Sequence, residues 1–74
     1  LENNDEITIV PKENSINIKN IPNNSLIKIF NLSGQIIYTQ NVQTNEQTYH
    51  LQKGIYIVQI INNNINKTIK AIVK

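Results

Sequence analysis

GIYIVQIIN, residues 54–62, decides the fold. Tyr56, Val58 and Ile60 stand two apart, and Ile55, Ile57 and Ile61 fill the opposite parity. Along the chain the apolar residues alternate far more often than they recur at helical spacing. Ile and Val are stiff at χ1 and pack well on a pleated surface, so the run reads as a strand. Being apolar on both faces, it is expected to be central and nearly fully covered by its neighbours.

Outward from it the same period of two recurs. Ile7 and Ile9, Ile16 and Ile18, Ile27 and Ile29, then Ile69, Ala71 and Val73 each alternate with polar residues, as half-buried strands do. Breakers separate them: Pro11 with Lys12-Glu13-Asn14, Pro22-Asn23-Asn24-Ser25, Ser33-Gly34 and Asn62-Asn63-Asn64. Strands are therefore expected near 7–10, 15–20, 25–31, 35–41, 47–51, 54–62 and 65–74, with no helix. Short strands at this spacing indicate an all-β, seven-stranded antiparallel Greek-key (immunoglobulin-like) sandwich. The expected core is Ile16, Ile18, Ile27, Ile29, Leu32, Ile37, Leu51, Tyr56, Val58, Ile60, Ile69, Ala71 and Val73. Tyr56, two residues after Gly54, suits a buried ring whose hydroxyl returns to the backbone, a tyrosine corner. Its truncation to Ala would then cost ~3–5 kcal/mol.

Seventy-four residues make one small domain and leave little material for a substrate cleft. With 39% hydrophobic and 16% charged residues, the chain is neither disordered by charge nor a membrane span. It has no Cys, which removes disulfides, thiolate zinc sites and thiol nucleophiles. A net charge of +2 with scattered Lys and no Arg does not point to nucleic acid. The charges are unevenly placed: Glu2, Asp5, Glu6 and Glu13 crowd the start, while Lys53, Lys67, Lys70 and Lys74 face no acid at the end. The start at Leu1, without Met, is read as the edge of a piece of a longer protein.

No constellation of catalytic residues is found. His50 is the only histidine and has no second ligand or nucleophile partner, so it reads as a strand-face residue. Asp5, Glu6 and Glu13 lack the spacing of a calcium loop and read as a solvated acidic end. Gly34 and Gly54 are isolated and read as turn or strand-end residues. Tyr38, Tyr49, Tyr56 and Phe30 are not interleaved with basic residues and read as packing. Three Asn-x-Ser/Thr triplets carry no weight in so Asn-rich a chain. No catalytic, metal or cofactor site is expected, and the chain is not expected to be an enzyme.

The motifs as a set resemble a known family. IKIFNLSGQIIY (Ile27–Tyr38) is followed by LQKGIYIVQI (Leu51–Ile60), an Asn-rich turn and the closing NKTIKAIVK. This resembles the type A C-terminal sorting domain of the type IX secretion system of Bacteroidota, also called the Por secretion system C-terminal domain. There a strand ending in an Asn/Asp-x-x-Gly turn precedes a Leu-x-x-Gly-x-Tyr-x-Val strand and a final Lys-containing strand. The matching positions here are Asn31 and Gly34, then Leu51, Gly54, Tyr56 and Val58, then Lys70 through Lys74. Pro11 stands where the family often has Pro-Asn-Pro, with Lys12 and Glu13 replacing Asn-Pro.

The resemblance implies a non-catalytic C-terminal signal domain at 7–74, joined by a linker at 1–6 to an upstream cargo. It implies passage through the periplasm and across the outer membrane by the type IX translocon, then removal by a sortase-like cysteine protease. Cargo would be secreted or held at the cell surface. Recognition is assigned to the final strand, Lys70, Ala71, Ile72, Val73 and Lys74. With Ile69, Ala71 and Val73 inward, Lys70 and Lys74 would offer a cationic edge with open backbone groups. The domain is expected to be a monomer that neither spans a membrane nor binds nucleic acid. The competing readings are an accessory immunoglobulin- or fibronectin-like module of a secreted hydrolase, acting as spacer or weak carbohydrate binder, and an adhesin or filament subunit. The first predicts further domains downstream, the second ready self-association.

Overall fold

The computed structural model describes residues 6–74, so the linker expected at 1–6 lies, apart from Glu6, outside the described residues. The strands are β1 (Thr8–Lys12), β2 (Ser15–Lys19), β3 (Ser25–Asn31), β4 (Ile36–Val42), β5 (Glu46–His50), β6 (Gly54–Asn62) and β7 (Ile65–Val73). All pairings are antiparallel, in a three-stranded sheet β1-β2-β5 and a four-stranded sheet β4-β3-β6-β7. Hairpins join β1 to β2, β3 to β4 and β6 to β7, and the other three connections cross between sheets. The pairing of β3 with β6 closes an immunoglobulin-like sandwich, with the fourth strand beside the third.

The core lies between the two sheets. Ile16 and Ile18 of β2 meet Ile27 and Ile29 of β3, Val58 and Ile60 of β6, and Ala71 and Val73 of β7. Each wholly buried Ile or Val contributes roughly 1.5–3 kcal/mol against exposure, which is the main force holding so small a domain together. Ile21, Val42 and Tyr49 are also buried, although the alternation did not single them out. Ile21 sits before Pro22, where the chain passes between sheets, and its amide donates to Asn45 O at 2.9 Å.

Four expected core residues are placed differently. Leu32 is 68% exposed, because it stands in the turn beyond β3 rather than on the strand. Ile37 is 43% exposed. A bulge pairs Ile29 with Tyr38 but Phe30 with Ile36, so Ile37 is the extra residue and the parity of β4 reverses there. Tyr56 and Ile69 are only half-buried. Likewise β6 is central but not nearly fully covered: among the described residues no second layer lies on its outer parity, and Ile55 is exposed.

Pro11 is within β1, paired with Ile16, rather than in the first turn. An edge strand tolerates it because its missing N–H would point away from the ladder. The turn itself is Glu13-Asn14, with Asn14 left-handed at φ 58°, as are Asn20 and Asn24 at 61°. The Asn62–Asn64 turn works otherwise: none of its residues is left-handed, and Asn62 Oδ1 accepts the amides of Asn64 (2.9 Å) and Ile65 (3.1 Å).

Candidate functional site

Asn31 and Gly34 build one self-contained turn. The Gly34 amide donates to Asn31 O at 3.0 Å, and Asn31 Oδ1 accepts the amides of Ser33 and Gln35, each at 3.0 Å. Asn31 Nδ2 then donates to Gln35 Oε1 at 2.8 Å. Gly34 has φ 91°, where a Cβ meets its own backbone although open space surrounds it. The Asn-x-x-Gly spacing thus encodes a side-chain cap and a left-handed residue three positions later.

Leu51, Gly54, Tyr56 and Val58 build the corner between the sheets. Leu51 and Val58 are buried in the core. The Tyr56 hydroxyl donates to Gln52 O at 2.8 Å, the tyrosine corner expected from the sequence. Gly54, at φ 156°, lies under that ring: a Cβ there would stand 3.7 Å from Tyr56 Cε1 and 3.9 Å from Gln52 O. These motif residues set backbone shape and carry no reactive group toward solvent.

The final strand is the outer strand of its sheet. Ala71 and Val73 face the core, while Lys70, Ile72 and Lys74 are exposed. The Lys74 amide donates to Lys12 O at 3.3 Å, and Lys74 O accepts the Asn14 amide at 2.9 Å. The expected open edge is therefore closed at Lys74 by the β1–β2 turn. Backbone direction alternates along a strand, so Ile72, Lys70, Thr68 and Asn66 aim their N–H and C=O to that same side, where no described strand pairs with them.

The remaining candidates sit apart. His50 is exposed at the end of β5, beside a shallow depression of about 310 Å³ lined by Asn14, His50, Leu51 and Gln52. That lining offers an imidazole, two amides and an apolar side chain, with no nucleophile or carboxylate. Glu6 and Glu13 are exposed on the three-stranded sheet's side, and Asp5 lies outside the described residues. Tyr38 and Tyr49 stack at 4.9 Å between ring centroids, tilted by 55°. Their hydroxyls donate to His50 O (3.1 Å) and Gln40 Oε1 (2.9 Å). Burial, with Tyr38 adding a smaller push, drives the Tyr49 hydroxyl up to about 12. These rings are packing rather than a ligand platform.

What sequence reasoning missed is a cluster on the outer face of the four-stranded sheet. Leu32, Ile36, Ile37, Ile55 and Ile72 are exposed together at the end bearing the β3–β4 turn. The signal was present in the second apolar parity of β6, which was read as buried.

No curated protein matches this chain. The family described as the secretion system C-terminal sorting domain matches residues 10–74, a span that contains every strand from within β1 to the end of β7. The turn, the corner and the lysine-bearing last strand all fall inside it. This chain belongs to the type IX secretion C-terminal sorting domain family.

Proposed function

We propose that this domain is a folded tag that carries an attached N-terminal cargo from the periplasm through the type IX translocon to the cell surface or medium. Family membership supports the sorting role. The observation that carries the read-out is the outer edge of β7, where Lys70 and Ile72 are exposed and the outward backbone groups of Asn66, Thr68, Lys70 and Ile72 have no strand partner among the described residues. Ala71 and Val73 anchor that strand in the core, and Lys74 fixes its end to the β1–β2 turn. A translocon component adds to this edge by strand pairing, with Lys70 and Lys74 discouraging indiscriminate partners. A sortase-like cysteine protease then cuts within 1–6, releasing the cargo or joining it to anionic lipopolysaccharide. The fold supplies shape and edge, and the domain itself catalyses nothing.

The test is a red fluorescent reporter with a Sec signal and residues 1–74 at its C-terminus, in a Bacteroidota host with and without a working translocon. Reporter outside the first strain and periplasmic in the second is expected, shortened by the mass of the tag. Reporter periplasmic in both, with the tag folded, would favour the accessory module instead.

A further inference from the structure

Register aligns the exposed apolar residues into two neighbouring rows. Ile36, Phe30, Ile57 and Lys70 form one row across β4, β3, β6 and β7. Ile55 and Ile72 form the next, and Leu32 continues β3 past Asn31 at the same end. Leu32 is 68%, Ile36 53% and Ile72 55% exposed, so this is a patch left open rather than a core partly covered. Apolar patches with a polar rim mark interaction sites on soluble domains.

The rim has one sign. Lys28, Lys70 and Lys74 share this face, and Lys53 immediately precedes β6 at the same end. The described carboxylate side chains lie elsewhere, Glu6 just before β1, Glu13 in the β1–β2 turn and Glu46 in β5. We infer that the outer face of β3, β6 and β7 is a docking surface for a protein partner with an apolar centre bordered by carboxylates. This rests on the sorting reading and names the chemistry of the partner that reads the tag. A second copy is a poor occupant, because it would bring the same acid-free lysines against one another. A lipid surface is a poorer one, because hydrocarbon cannot satisfy the β7 backbone groups that run beside Ile72 and Lys70.

The test uses the reporter fusion with Leu32→Ser/Ile72→Ser and, separately, Lys70→Glu, with Lys19→Glu on the other sheet as an equal change in charge. The melting temperature of each purified chain is measured alongside. The first two variants are expected to lower the extracellular fraction at least tenfold at an unchanged melting temperature, and Lys19→Glu to leave it as it was. If the double variant unfolds, Ile36→Ser takes its place. Export of the patch variants at the wild-type level, beside a wild type that needs the translocon, overturns the inference and leaves the sorting role standing. A wild-type reporter that is never exported brings down both. Sedimentation of the purified chain with phosphatidylglycerol–phosphatidylcholine vesicles, lost in Leu32→Ser/Ile72→Ser, would make the face a lipid surface. A micromolar dimer lost in the same variant would make it a self-contact. Either result overturns the protein partner.

Discussion

The Tyr56 hydroxyl reaches Gln52 O, four residues back, and so ties the crossing from β5 to the strand that follows it. Removing only that oxygen, in Tyr56→Phe, should cost about 0.5–1.5 kcal/mol in urea unfolding. The half-buried ring places Tyr56→Ala nearer the bottom of the ~3–5 kcal/mol range for aromatic truncation than the top. Gly34 is a backbone matter alone, since nothing lies within 4 Å of an added Cβ. Gly34→Ala should cost about 1–2 kcal/mol, and Gly34→Asn visibly less, because Asn visits the left-handed region. Tyr49 governs alkaline stability. Its hydroxyl ionises near 10 when unfolded and near 12 when folded, so above pH 10 the unfolded state loses the proton first. The stabilisation is whole below pH 10 and falls by at most about 2 kcal/mol, solvent screening included, as pH rises through 12. Unfolding free energies measured from pH 8 to 12 should show that fall, and Tyr49→Phe should flatten it. The residues of the turn and corner were legible because each is a special backbone position that few residue types fill. Tyr49 was legible as a packing residue but not as core, since Gln47, two before it on the same face of β5, is polar and hides the period of two.

Among the elements, β7 is held at its end by two backbone bonds between Lys74 and the β1–β2 turn. Deleting Lys74 should speed amide exchange at Asn14, whose donor loses its acceptor, and leave Ile27 in the centre of β3 protected. Equal exchange in both chains would show that the clamp does not hold in solution. β1, β2, β3, β6 and β7 were readable from β-branched alternation, because burial on one face imposes that period, whereas β4 and β5 were readable only from the turns that bound them. The errors fall where the period breaks. The bulge opposite Ile29 and Phe30 turns Ile37 outward, and nothing in the local sequence marks a bulge without a glycine. Pro11 looked like a turn, and the edge position that tolerates it depends on pairing with β2 and on nothing outside β1. The second apolar row of β6 suggested full cover, as it would in a sheet with layers on both sides. Here one side has no second layer among the described residues.

Across the whole molecule, the uneven charge of the chain becomes a difference between two sheets. The described acids lie with β1, β2 and β5, and most lysines lie with β3, β6 and β7. The sequence showed the segregation, but only the fold puts Lys28 of β3 on one face with Lys70 and Lys74. The same holds for the apolar patch, which joins the continuous β3–turn–β4 stretch to β6 and β7, distant from it along the chain. Shape is held by the core, the Asn31–Gly34 turn and the Tyr56 corner, while the proposed recognition uses what that frame displays. Stability and export are therefore separable. The deciding measurement pairs the melting temperature with the extracellular fraction of the reporter for Tyr56→Phe and Lys70→Glu, at a temperature where both are folded. The account predicts that Tyr56→Phe melts lower yet is exported as wild type, and that Lys70→Glu melts as wild type yet stays in the periplasm. Loss of export in Tyr56→Phe with Lys70→Glu exported normally would contradict it.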